Sequence, residues 1–286
     1  MKKKTELQIV IDRVEQMEQY MDEVAEVLKN NPGKVKDSGE FWRKTAILTD
    51  YMDSGQWLAD YEADERGELP KDLKRGVLSQ DGLYNLICEV EELQRKTITF
   101  KEVDKSCFEI YDNIPMKVDV HSEYKIKRVD NGLGGLAFEE VPVEPYIKDF
   151  GKYDCATTYE ERFDISTWRF YMAFDGEQAI GAATVAGPTK GMNMLYGRED
   201  ACVLWDIRVA DGYKYQGIGQ TLLDMGIAGA RECGYQQMII ECQNNNVPAC
   251  NFYHKQGAVL CKVDMHAYYM EPEVRNEVQF VWYLDI

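Results

Sequence analysis

Between Leu204 and Leu223 the sequence changes its rhythm twice, and this constrains the fold more than any other stretch. Leu204-Trp205-Asp206-Ile207-Arg208-Val209 alternates as a strand does. Lys214-Tyr215-Gln216-Gly217-Ile218-Gly219 holds two glycines, and Gln220-Thr221-Leu222-Leu223 opens a helical pattern. A strand that passes through a glycine turn into a helix belongs to α/β architecture. The turn also has a chemical meaning. Glycine lets a ligand approach the backbone, and the first amides of a helix lack acceptors in their own helix, so such a turn suits a pyrophosphate. Lys214 adds positive charge beside it. The spacing is neither that of the Gly-Lys-Ser/Thr phosphate loop nor that of the three-glycine dinucleotide fingerprint. A tight connection with glycine for packing is the alternative account.

The surrounding chain fits this architecture. Lys117 to Val129 alternates as strands do, and Trp168–Phe174 and Ala179–Val185 form a hairpin about Asp175-Gly176-Glu177. Val203–Val209 is a strand, Gly217–Glu232 a helix, Met238–Cys242 a strand, Pro248–Lys255 a helix and Val278–Leu284 a last strand. The pattern is a mixed sheet flanked by helices.

The first part of the chain reads differently. Leu7, Val10, Val14, Met17, Met21, Val24 and Leu28 recur in steps of three and four, the seam of a helix that needs a partner helix. Asn30-Asn31-Pro32-Gly33 stops it. A second helix, with Ser38 as N-cap, packs Phe41, Ile47 or Leu48, and Tyr51 or Met52 against the first, and Ser79 opens a last helix to about Leu93. Residues 1–97 therefore read as a small all-α domain and 104–286 as the α/β (or α+β) domain, with the boundary between Arg95 and Cys107 set by the change of period.

Composition excludes several classes. The chain has 286 residues, is 45% hydrophobic and 29% charged, and carries 33 Lys+Arg against 50 Asp+Glu, a net charge of -17. That is a globular composition whose field repels nucleic acid and attracts cations. Eight cysteines without a Cys-x-x-Cys pair read as reduced thiols. Met1-Lys2-Lys3-Lys4 resembles the start of a secretion signal, but Glu6, Asp12, Arg13 and Glu15 interrupt its apolar stretch. No window has the ~20 apolar residues of a membrane helix. A cytoplasmic protein with no membrane association is the expectation. His121, His254 and His266 give no metal spacing, so no metal is expected.

Two resemblances sharpen this reading. Trp57-Leu58-Ala59-Asp60-Tyr61-Glu62, Asp64-Glu65, Leu69-Pro70, the run Asp72 to Ser79 and Leu83-Tyr84 resemble a bacterial helical family of unknown function, DUF4298. This brings no activity. Its aromatic and acidic run is accounted for by core packing and capping, or by a docking surface. Lys214 to Gly219 resembles the acyl-CoA-binding motif of the GNAT family of N-acetyltransferases, Gln/Arg-x-x-Gly-x-Gly/Ala, with lysine in place of the planar-headed residue. Asn246, Ala249, Tyr253 and Gly257 follow at the family's distance. Glu144-Pro145-Tyr146-Ile147-Lys148, Val263-Asp264 with Tyr268, and Phe280-Val281-Trp282-Tyr283 look like its streptothricin acetyltransferase branch.

The resemblance implies direct transfer of acetyl from the cosubstrate acetyl-CoA to the primary amine of a small cationic acceptor, conceivably a streptothricin-type antibiotic. A polyamine or a protein amine is the alternative acceptor. Such an enzyme must position two reactants, deprotonate an ammonium and stabilise an oxyanion. The cosubstrate would be held by the backbone of Ile207, Arg208 and Val209, by Lys214, Tyr215, Gln216, Gly217, Ile218, Gly219 and Gln220, and by Asn246. Tyr253 matches the acid that protonates the departing thiolate, with Phe252 the better-placed aromatic for packing. Asp206 and Glu241 are equal candidates for the base, a water relay being a third option. Cys250 and His254 share a helix face, but a buried thiol beside a solvated imidazole explains them better than a nucleophile does. A reading from another class is an acyl-CoA sensor whose helical domain binds a partner. A lid or a homodimer contact are further uses for the apolar seam.

Overall fold

The computed structural model describes residues 6–30, 35, 38–94, 98–152 and 154–286. The stop at Asn31-Pro32-Gly33, the lysines at the start and the boundary residues 95–97 lie outside them. The chain divides into two compact units, Met1–Thr99 with Asp211–Ile218, and Phe100–Ala210 with Gly219–Ile286.

The first unit contains α1 (Glu6–Asn30), α2 (Gly39–Asp53), α3 (Gln56–Glu65) and α4 (Gln80–Gln94). Ser38 caps α2 by accepting from the Phe41 amide at 3.3 Å. Val14, Met17, Val24, Phe41, Leu48 and Leu83 form its core. The signature residues that resemble the helical family serve packing and internal bonds. Trp57 is buried and its indole donates to the Val77 carbonyl at 2.9 Å. Asp60 is 1% exposed and binds Arg13 and Tyr51. Asp64 pairs with Arg75 at 2.7 Å. Ser79 caps α4, its hydroxyl accepting from the Gly82 amide at 3.3 Å, whereas α3 begins at Gly55 with no side-chain cap.

The second unit is built on a seven-stranded sheet of β1 (Ile98–Val103), β4 (Arg169–Asp175), β5 (Gln178–Ala186), β6 (Ala201–Val209), β7 (Gln237–Gln243), β9 (Gln279–Asp285) and β8 (Val259–Asp264), in that spatial order. Only β6 and β7 are parallel among the pairings with a described register. A crossover helix, α7 (Ile218–Glu232), joins them, as parallel neighbours require. Short helices α5 (Phe108–Asp112) and α6 (Tyr159–Arg162) cover one face, and α8 (Val247–Lys255) lies on the other beside Cys242. A separate hairpin, β2 (Lys117–Arg128) with β3 (Leu136–Asp149), pairs antiparallel. It is tied to the loop after β7 by reciprocal bonds between Tyr124 and Asn244 at 2.9 and 3.0 Å.

The strands, the hairpin and the two long helices that the sequence indicates all form. Strands β1, β3 and β8 and the short helices α5 and α6 are additions. β3 is exposed along most of its length, so its residues carry little burial signal to read.

Candidate active site

Two irregularities in β6 build the site. The β6–β7 ladder runs from Ala201–Gln237 to Leu204–Ile240 and ends there, while β6 continues to Val209 and β7 to Gln243. At the same level β6 carries a bulge against β5. Thr184 pairs with Asp206 but Val185 with Leu204, leaving Trp205 as the extra residue. Side chains on a strand alternate between faces, and the bulge breaks that rule. Val203 and Trp205 face the α5/α6 layer, and so does Asp206, which meets Tyr111 of α5. Consecutive residues thus reach the same face beside the opening between the strands.

Asp206 is 3% exposed. Its Oδ2 accepts from Arg208 Nε at 2.8 Å, from a second Arg208 nitrogen, and from the Tyr111 hydroxyl at 3.1 Å. Tyr111 also meets the Thr184 hydroxyl at 2.7 Å. Asp206 Oδ1 is buried with no hydrogen-bond partner among the described residues. Burial pushes the Asp206 carboxyl up, and Arg208 opposes this. Arg208 is itself buried and also donates to the Ile114 carbonyl at 3.3 Å.

Glu241 stands one residue beyond the last β6–β7 pair. It faces the same layer as Trp205, because Ile239, two residues before it, packs there. It is half-buried and lines a cavity of about 240 Å³ with Asn193, Met194, Tyr196, Lys262 and Gln279. The Tyr268 hydroxyl donates to its Oε1 at 2.7 Å and accepts from Gln243 at 3.0 Å. The two carboxylates weighed equally in the sequence therefore differ, one closed in an ion pair and the other open to a cavity.

On the opposite face Tyr253 is 6% exposed, whereas Phe252 is half-buried, the reverse of the packing expected from sequence. Burial, then the neighbouring Cys242 and Cys250, hold the Tyr253 phenol well above its usual value, so it stays protonated. Cys250 is buried and His254 exposed, and the Cys250 thiol lies 3.5 Å from that of Cys242. The Asn246 carboxamide oxygen caps α8 by accepting from the Ala249 amide at 3.3 Å. That oxygen is thus committed to the helix, a use the sequence reading missed although asparagine is a strong N-cap signal.

The glycine turn passes through the left-handed region twice. Tyr215 and Gly217 have left-handed φ of 66° and 76°. The amides that open α7, Gly219 and Gln220 among them, follow at once. Ile218 is buried and anchors the helix start. Lys214 pairs with Asp211 at 2.6 Å and Gln216 donates to the Gly212 carbonyl at 2.9 Å. Within the second unit, a Cβ at Gly219 would meet Val209 and Phe252 only at 3.8 and 3.9 Å. Ile207 and Val209 lie on β6 past the end of its ladder with β7.

A sheet that opens at a bulge, followed by a glycine turn and a helix, is the arrangement expected from the resemblance to acyltransferases that use coenzyme A. Comparison with known proteins agrees. Residues 137–258 match the model of the acetyltransferase (GNAT) family, and residues 14–100 match a domain of unknown function, DUF4298. The chain is 32% identical over 177 residues to the streptothricin acetyltransferase of Escherichia coli, covering 61% of this chain and 92% of that protein. It is 28% identical over 158 residues to streptothricin acetyltransferase A of Bacillus subtilis (strain 168), covering 55% of this chain and 83% of the relative. The fold matches nourseothricin acetyltransferase with a TM-score of 0.52 at 22% identity, over 66% of this chain and 99% of the other. An acetyltransferase structure from Bacillus anthracis str. Ames in complex with acetyl coenzyme A gives 0.52 at 24%, over 66% and 100%. The chain belongs to the GNAT acetyltransferase family and is an acetyl-CoA-dependent N-acetyltransferase. No helix among the described residues is long and apolar enough to cross a membrane.

Proposed function

We propose that this enzyme acetylates a primary amine of a small cationic acceptor, and that a streptothricin-type compound is the first acceptor to test. The observation that carries the reading is the position of Glu241, one residue past the last β6–β7 pair and open to a cavity. Acetyl-CoA supplies an activated acetyl thioester. The turn from Lys214 to Gln220 would hold its diphosphate, and the backbone of Ile207, Arg208 and Val209 its pantetheine arm. Glu241 accepts the proton of the acceptor ammonium, held in place by Tyr268. Tyr253, neutral at physiological pH, donates a proton to the departing thiolate. Asp206, engaged with Arg208, acts through the field it adds to the opening, and Asn246 orients α8 through its cap.

Residues 1–97 and 104–286 are proposed as separate domains, the first serving as a lid or a homodimer contact. The net charge of -17 supports a cationic substrate over nucleic acid. All eight cysteines are free thiols, which supports a reducing, cytoplasmic setting. The test is thiol release from acetyl-CoA with streptothricin and a panel of polyamines and small amines. Turnover confined to polyamines would remove the antibiotic acceptor. Glu241→Gln should lower kcat by about 10²-fold or more, as loss of a general base does, and unchanged kcat would remove that role.

A further inference from the structure

On β6, beside the residue level with Glu241, is a cation site already filled by the chain itself. Trp205, the bulged residue, stands level with Glu241, one position past the Leu204–Ile240 pair, and both face the α5/α6 layer. The Trp205 indole donates to Asp154 Oδ2, and the Tyr159 hydroxyl donates to the same oxygen at 3.0 Å. The other oxygen, Oδ1, accepts from Arg162 at 3.1 Å. The Arg162 guanidinium lies 5.1 Å from the Phe163 ring centroid and 5.9 Å from those of Tyr159 and Trp205. One carboxylate and three aromatic rings thus surround a guanidinium, the arrangement that binds cations through charge and ring quadrupole together.

Two features make this occupant displaceable. The Arg162 side chain is 41% exposed, and an ion pair so open to water contributes little to stability. Arg162 also lines an open cavity of about 510 Å³. Asp154, by contrast, is held by two neutral donors that remain when the arginine leaves.

We infer that Asp154 and the rings of Trp205, Tyr159 and Phe163 receive a second positively charged group of the acceptor, a guanidinium or an ammonium, which displaces Arg162. The inference rests on the reading that the acceptor amine faces Glu241. It specifies the substrate class as an amine with a second cation, held between carboxylates on the two sides of the opening.

The test compares 4-guanidinobutylamine, which has the second cation, with pentylamine, which lacks it, in the full-length enzyme. Asp154→Asn keeps an acceptor oxygen for Trp205 and Tyr159 but loses the charge. It should raise KM for 4-guanidinobutylamine about tenfold, the loss expected of one charged hydrogen bond, and leave KM for pentylamine unchanged. Arg162→Ala should lower KM for the guanidino compound alone. A titration of tryptophan emission with 4-guanidinobutylamine should saturate in the wild type, need about tenfold more ligand in Asp154→Asn, and lose its signal in Trp205→Phe. This readout does not depend on turnover. Equal KM changes for the two amines, or an emission titration unchanged in Asp154→Asn, would overturn the cation site. Glu241→Gln with full turnover would instead remove the base assignment while leaving the emission result standing.

Discussion

Two buried aspartates, one in each unit, pair with arginine and tyrosine and yet end differently. In the helical unit both oxygens of Asp60 are used, Oδ1 by Arg13 and Oδ2 by Arg13 at 2.7 Å and Tyr51 at 2.9 Å. In the sheet unit Arg208 and Tyr111 converge on one oxygen of Asp206, and the other is buried with no partner among the described residues. Leaving a buried acceptor unsatisfied costs about 1–3 kcal/mol. A carboxylate with every lone pair occupied fixes a fold. One with an oxygen left over, at a bulge beside the opening of a sheet, carries a demand that its own fold does not meet.

The sharpest way to break this comparison is to delete each carboxylate. Asp206→Ala strands the Arg208 charge in a site where that side chain is 2% exposed, and should cost about 3–5 kcal/mol of stability in urea unfolding. Asp60→Ala should cost less, about 1–3 kcal/mol, because Arg13 is 27% exposed and regains water. An equal loss at the two sites would show that the pairs are of one kind. The amide variants refine the contrast. Asp206→Asn should lower kcat about tenfold through the lost charge with little change in acetyl-CoA affinity, while Asp60→Asn should leave kcat of the folded enzyme alone.

The smallest effect lies in the pH dependence, where the sign decides. Burial raises the Asp206 carboxyl, so its contribution to stability is fullest below the unfolded value of 3.8 and declines as pH rises through the folded one. Glu40, beside Arg43 and Lys44, is lowered from 4.5 to about 2 and behaves oppositely, its contribution being present above 4.5 and lost as pH falls toward 2. Unfolding curves of Asp206→Asn and Glu40→Gln against the wild type, between pH 2 and 7 (about the range spanned by these carboxylates), should diverge in opposite directions. Parallel curves would contradict both assignments.

What could be read beforehand followed from periodicity. The steps of three and four from Val10 to Val24, the alternation of Val203 to Val209 and the glycine turn all report burial or backbone demand, and those elements formed. The glycine turn and Tyr253 were legible as motif residues. The difference between Asp206 and Glu241 was not, because it depends on a single extra residue in β6 and on Tyr111, which is distant in sequence. Asp154 was equally hidden, since only the folded sheet brings it to Trp205. The Cys242–Cys250 contact joins a strand to the next helix, and eight-residue spacing announces nothing about it.

The bulge at Trp205 acts as a comma in the strand. Without that additional residue the strand would simply alternate, with Asp206 still paired to Thr184 on the Tyr111 side and only the Trp205 indole lost from beside the opening. A strand shortened here by one codon would keep its sheet and its buried ion pair and give up one aromatic ring.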